Sequence, residues 1–280
     1  MKMIFIMVDG FGVPPEGWSN SIYSKYCDKK FIRLFKEYSI PVDACLGVQG
    51  LPQSATGQCA LFTGINAAER LGRHVQGFPS PSIVSIIRER NIFSTLTAAG
   101  KKVSFANAYV MKTLEKLKNS GMMSVTSVMT EHALGQVLMR DDLADGKAVF
   151  QNITREGLAA DYGFSEISPS LAAEHLAAIS DKNDFTLFEY FMTDRAGHKR
   201  NAVMLKKYLG ELSEFVVRLS EINNDEKLLV LTSDHGNCED DSSGVHTLNP
   251  VPLMIYGDHK VTGVKSILDI YDWIVSEICG

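Results

Sequence analysis

Three apolar runs in this chain end on an aspartate, and that pattern constrains the fold more than any other feature of the sequence. Met3–Val8 stops at Asp9-Gly10, Phe185–Met192 leads into Thr193-Asp194, and Lys227–Leu231 leads into Thr232-Ser233-Asp234. A continuous apolar run lacks the alternation of a half-exposed strand and predicts a strand buried on both faces. A fourth run, Val251–Tyr256, follows a proline-flanked entry. Helical periodicity fills the intervals. Leu205, Leu209, Leu212, Val216 and Leu219 recur at spacings of four and three, as do Ile267, Tyr271, Ile274 and Ile278. Strands alternating with amphipathic helices predict an α/β fold, a mostly parallel sheet sandwiched between helices.

The chemistry follows from where the aspartates fall. In an open parallel sheet the ligand crevice lies at the carboxyl ends of the strands, so Asp9, Asp194 and Asp234 are expected to crowd one edge. At an effective dielectric of about 20, unit charges about 4 Å apart repel by roughly 4 kcal/mol. Such a cluster either takes up protons or binds cations. Histidines accompany it: His198 lies four residues after Asp194, His235 adjoins Asp234, and His246 follows eleven residues later. Three Asp and three His suit divalent ions such as Zn²⁺ or Mn²⁺, and six ligands fill two sites better than one.

Leu51–Gln58 precedes the apolar helical segment Cys59–Phe62, which puts Ser54 at a helix N-terminus. Free amides and the helix dipole favour an anion there. A serine deprotonated by a metal ion at such a point is a nucleophile for phosphoryl transfer. An ordinary N-cap serine gives the same local pattern, and Thr56 is a rival nucleophile.

Composition excludes other classes. The 280 residues are 45% hydrophobic and 22% charged, with 28 Lys+Arg against 33 Asp+Glu and a net charge of −5. The basic doublets are scattered, so no stripe suits a nucleic-acid backbone. No stretch approaches the roughly 20 apolar residues of a membrane span. Five cysteines at 27, 45, 59, 238 and 279 form no CxxC pair, which fits free thiols and a cytoplasmic setting. A single domain over 1–280 is expected, with small elaborations at 64–91 and 120–168. The second of these is expected to mix short strands and helices.

Several motifs carry a resemblance. Thr232-Ser233-Asp234-His235-Gly236-Asn237-Cys238-Glu239 resembles the Thr-Ala-Asp-His-Gly-Asn-Ala-Glu element of cofactor-independent phosphoglycerate mutases, which belong to the alkaline phosphatase superfamily. Val245–Pro252 resembles that family's His-Thr-x-Asn-Pro-Val-Pro, Asp194-x-x-Gly197-His198 its Asp-x-x-Gly-His, and Asp9-Gly10-x-Gly12 with Ser19-Asn20 its opening. Pro52-Gln53-Ser54-x-x-Gly57 is similar to the loop bearing its serine nucleophile. The resemblance implies that Asp9, Ser54, Asp234 and His235 hold one divalent ion, and Asp194, His198 and His246 another. It also implies that Ser54 becomes phosphorylated and that Asn20 contacts the phosphoryl group.

The departures point to a different use. Those mutases, like phosphopentomutase, carry a large inserted cap, and only Gly64–Asn91 stands in its place here. Gln58 occupies a position where the mutases have His, and the sulfatase Cys/Ser-x-Pro-x-Arg motif is absent. Without a cap, phosphoserine is expected to meet water, giving a phosphatase acting on a small phosphorylated metabolite. Arg73, His74 and Arg195 are candidates for substrate-phosphate contacts. Two readings stand beside this one: a phosphomutase with a reduced or partner-supplied lid, and a non-catalytic domain binding metal and a phospho-ligand.

Overall fold

In the computed structural model, strand β1 (Lys2–Val8) pairs in parallel on both sides, with β4 (Phe185–Tyr190) from Met3↔Phe185 and with β5 (Lys227–Thr232) from Lys2↔Lys227. The structure describes residues 1–280 apart from 111, 112, 225, 258 and 260. The sheet has six strands in the order β2-β6-β5-β1-β4-β3, where β2 is Ser39–Val42, β3 is Val103–Phe105 and β6 is Val251–Tyr256. Strand β6 runs antiparallel to both of its neighbours. The sheet is therefore mixed, with a parallel centre.

The unbroken apolar runs find their reason in two cores, one on each face. Met3, Phe5 and Met7 enter one cluster, whereas Ile4, Ile6 and Val8 enter the other. Successive strand side chains point to opposite faces, so covering both faces demands an apolar residue at every position. On the first face lie the helices Ser54–Thr63, Pro81–Glu89, Ile92–Ala98, Val125–Leu134 and Ile270–Cys279. On the second lie Lys29–Tyr38, Pro169–Ser180 and Ala202–Ile222. The last of these buries Leu205, Leu209, Leu212, Val216 and Leu219 as its periodicity predicts, and the Asn201 side chain caps it.

The direction of β6 matters to the site. Because it runs against β5, with Leu231 opposite Met254, its first residue lies at the edge where β5 ends. The connection 233–250 therefore stays over the carboxyl edge of the parallel strands.

Several local expectations need correction. Strand β4 ends at Tyr190, and Met192–His198 is helical, so Asp194 sits in a helix's first turn and not directly after a strand. The segment 64–91 is more regular than its composition suggests, holding the helices Ala67–Leu71 and Pro81–Glu89. The stretch 120–168 carries the helices Val125–Leu134, Arg140–Ala144 and Ala159–Tyr162, with no strand among its described residues. Its extended pieces are single bridges, Ala108↔Leu138 and Asn107↔Val149. A third small core, including Ala108, Leu143, Phe150 and Phe164, consolidates this region. The five cysteines are all free, and no helix among the described residues is long and apolar enough to cross a membrane.

Candidate active site

Ser54 is the first residue of its helix and Gln53 occupies the cap position, so the Ser54 hydroxyl is not spent on capping. Its Oγ lies 3.0 Å from His235 Nε2. His235 is wholly buried, and its Nε2 is 3.1 Å from Asp9 Oδ1 and 3.8 Å from Asp234 Oδ2. Beside this group, His246 Nε2 is 3.4 Å from Asp194 Oδ1, and His198 Nε2 is 3.3 Å from Asp194 Oδ2. The rings of His235 and His246 stack at 3.7 Å between centroids, which makes the two groups contiguous. Strand β1 and the turn after it deliver Asp9. The end of β5 and its long connection deliver Asp234, His235 and His246.

The donor chemistry fits divalent cations. His246 Nδ1 donates to the Pro52 carbonyl at 2.6 Å and His198 Nδ1 to the Gly244 carbonyl at 2.8 Å. A carbonyl only accepts, so each Nδ1 carries a proton, and Nε2 is the nitrogen left to offer a lone pair to a cation. Yet the two Nε2 atoms face each other at 3.0 Å beside the Asp194 carboxylate. Lone pairs converging in this way are what a cation satisfies, with the Nδ1 bonds serving as the orienting outer contacts. Asp9 Oδ1 is likewise buried and makes no hydrogen bond among the described residues. Two triads of potential ligands have their donor atoms within 4.8 Å of one another: Asp9, Asp234 and His235, and Asp194, His235 and His246.

Titration behaviour reflects the crowding. Burial, then the charge of Asp234, pushes the Asp9 carboxyl well above its ordinary value. Burial opposes a charged His235, but Asp234 and Asp9 outweigh it and hold the imidazolium up to about 10. Burial alone would raise Asp194; the His246 contact, the charge of His235 and the Asn237 amide hold it below the usual range.

Three side chains without an expected role position this cluster. Asn237 Nδ2 donates to Asp194 Oδ1 at 2.6 Å, and Gln58 Nε2 donates to Asp234 Oδ2 at 3.0 Å. Glu239 accepts from the Gly12 and Asn237 amides at 2.9 and 2.8 Å, and from Thr247 and Asn249. It thus ties the turn after β1 to the connection before β6. Glu239 and Asn237 stand inside the aspartate-histidine motif, which was the one available signal. Thr56 faces away from the cluster, its hydroxyl bonded to the Gln53 carbonyl and the Val75 amide.

A cavity of about 460 Å³ opens beside Ser54, and Asp9, Ser54, Asp194 and Arg195 line it together with residues between 105 and 151. Arg195 is thereby brought to the site. Arg73 and His74 do not line the cavity, and His74 Nε2 contacts the Val48 carbonyl at 3.2 Å. Asn20 ends a short 3-10 helix, exposed, with its amide bonded to Gly17 and not to the cluster.

A family model described as "Metalloenzyme superfamily" matches residues 1–269. The chain belongs to that superfamily. Its curated relatives include a phosphopentomutase from Hahella chejuensis, 29% identical over 152 residues, covering 54% of this chain and 33% of the relative. A 2,3-bisphosphoglycerate-independent phosphoglycerate mutase from Ehrlichia ruminantium is 33% identical over 93 residues, 30% of this chain and 19% of the relative. These matches span a third or less of the relatives' length. Alkaline phosphatase from the Antarctic bacterium TAB5 superposes with a TM-score of 0.58 over 99% of this chain and 97% of that one, at 13% identity. That likeness establishes a shared fold for this superfamily member.

Proposed function

We propose that this metalloenzyme is a phosphohydrolase that cleaves a small phosphate monoester through a phosphoserine at Ser54. The observation that carries the reading is the unspent Ser54 hydroxyl, 3.0 Å from His235 and at the N-terminus of a ten-residue helix. In the reaction Ser54 Oγ bonds to phosphorus, the ester P–O bond breaks, and the alcohol leaves with a proton. Water then cleaves the phosphoserine, releasing inorganic phosphate and restoring the hydroxyl. The helix amides meet the phosphoryl oxygens, and Arg195 at the cavity wall offers a cationic contact. Asp9, Ser54, Asp234 and His235 would hold one divalent ion, and Asp194, His198 and His246 a second, Mn²⁺ or Zn²⁺ in each case. Such ions would neutralise the carboxylates and the charge growing on the transferring group. Free cysteines accord with a cytoplasmic setting for this chemistry.

The test is release of phosphate from an aryl phosphate by Mn²⁺- or Zn²⁺-loaded protein. Ser54→Ala should lower kcat by about a thousandfold or more while leaving the fold intact. Full turnover in that variant would remove Ser54 from the mechanism. A phosphomutase is the second reading, favoured by the names of the curated relatives. Label kept within a sugar phosphate, with no free phosphate formed, would select it.

A further inference from the structure

The cavity beside Ser54 has a character that the catalytic cluster does not require. Its lining includes the apolar side chains of Phe78, Phe105, Leu117, Met122, Phe150 and Phe191. Most of the polar side chains interleaved with them are already hydrogen-bonded within the protein. Asn107 donates to the Glu189 carbonyl at 2.7 Å and accepts from the Glu189 amide at 2.8 Å, spending both ends of its amide. The Glu189 carboxylate accepts from Thr126 at 2.5 Å, Ser124 is held by Thr126 and Ser127 at 2.7 and 2.8 Å, and the Tyr109 hydroxyl pairs with Ser127. Away from the Ser54 cluster, the lining polar side chains with no hydrogen bond among the described residues are Gln151 and Arg195, and Glu189 accepts its side-chain bonds through Oε2 alone.

Two of the apolar residues are also out of place as packing. Phe78 is 54% exposed and Met122 47%, and both stand at the rim of this one cavity. A single exposed apolar side chain needs no explanation; two at the mouth of a concave apolar site beside a nucleophile mark a binding surface. A sugar phosphate or phosphoglycerate would bring several hydroxyl or carboxylate groups into this space and find few free partners. Each one desolvated without a partner costs about 1–3 kcal/mol.

We infer that the organic part of the substrate is apolar and ring-bearing, seated between Phe78, Met122 and Phe150 with its phosphoryl group on Ser54. This rests on the phosphohydrolase reading for the reaction, but the pocket's preference can be measured separately from turnover. Phe78 belongs to the segment 64–91 and Phe150 to the elaboration 120–168, so in this reading both additions to the sheet serve substrate selection.

The experiment compares benzyl phosphate with glycerol phosphate, two esters of alkyl alcohols, on Mn²⁺- or Zn²⁺-loaded protein. Calorimetric binding of benzylphosphonate against methylphosphonate runs alongside. The benzyl compounds should be favoured at least about tenfold in kcat/KM and in affinity, the scale of apolar recognition in a pocket. Phe78→Ala and Met122→Ala, both at exposed positions, should shrink both ratios towards one. Turnover with glycerol phosphate equal or preferred would overturn the inference and leave the phosphohydrolase standing. Tighter benzylphosphonate binding with no turnover of any ester would uphold the pocket and remove the phosphohydrolase. Equal affinity for the two phosphonates would overturn the inference whatever the turnover.

Discussion

Asn237 shows how much a neutral side chain can decide in a charged cluster. Its amide reaches Asp194 Oδ1 at 2.6 Å and so chooses the orientation in which that carboxylate faces His198 and His246. A partner one step removed from a metal ligand typically changes affinity 10- to 100-fold when lost. Asn237→Ala should therefore weaken Zn²⁺ binding by about that factor, read by competition with a chelator of known affinity. Its far-UV circular dichroism should match the parent. The side chains proposed as direct ligands should behave differently: on the two-ion reading, His246→Ala should reduce bound metal from two ions per chain to one. Unchanged stoichiometry in that variant would show that His246 lies outside the coordination shell. The same contrast explains what the sequence discloses at this scale. Asp9, Asp194, Asp234, His198, His235 and His246 are recognisable because their side-chain chemistry is rare in apolar surroundings. Asn237, Gln58 and Glu239 act through hydrogen bonds that only the folded geometry reveals.

Between elements, the close approach of the Ser54 helix to the end of β5 sets the distance from Ser54 to the cluster. Gly57, one turn into that helix, faces the Asp234 backbone; a Cβ there would stand 2.7 Å from the Asp234 carbonyl oxygen and 3.2 Å from its Cβ. Neither neighbour is a flexible chain end, so the helix itself must move. Gly57→Ala should cost roughly 1–3 kcal/mol of stability, the scale of overpacking in a close-packed interior. With Ser54 as the proposed nucleophile it should also lower turnover, because a displacement near 1 Å at a reacting group costs about a hundredfold. Urea unfolding and kcat measured together check this, and a stabilised, fully active variant would contradict it. Gly10 answers the same need on the other side, with φ at 69° and Asp194 against its α-carbon. At this scale the sequence discloses the strands that are buried on both faces, β1, β4 and β5, because their apolar runs have no other explanation. It does not disclose β2 and β3. Ser39–Val42 and Val103–Phe105 are short edge strands whose pairing depends on neighbours distant in the chain. The antiparallel sense of β6 is equally silent, since an apolar run reads the same in either direction. The end of β4 is misread for a related reason. Phe191 and Met192 extend the apolar run, but they pack at the start of a helix, and that helix is what turns Asp194 inward.

Across the whole molecule, the helix Val125–Leu134 joins the elaboration 120–168 to the main core, and charged side chains of the Ala202–Ile222 helix meet its later part. Lys207 pairs with Glu156 of the elaboration and lies 3.8 Å from Glu211 on its own helix. Glu211 Oε2 is buried with no hydrogen bond among the described residues. Burial raises the Glu211 carboxyl from 4.5 to about 7, with Glu156 and Glu166 adding to the rise and Lys207 opposing it. A carboxyl whose value is raised by folding binds its proton more tightly in the native state. Its contribution is therefore complete below about pH 4.5 and is lost as pH rises to about 7. Above that point the native state carries a fixed deficit. Glu211→Gln holds the group neutral at every pH, so it should match the parent near pH 4 and exceed it by about 1–2 kcal/mol at pH 8. Urea denaturation across this range gives the difference directly. The site lies elsewhere, around Ser54 and His235, so added Mn²⁺ or Zn²⁺ should stabilise both proteins equally and leave that difference unchanged. A gap between the two proteins that stays constant from pH 4 to pH 8 would mean that Glu211 ionises in the folded protein as it does in water, and that the elaboration docks without confining its charge.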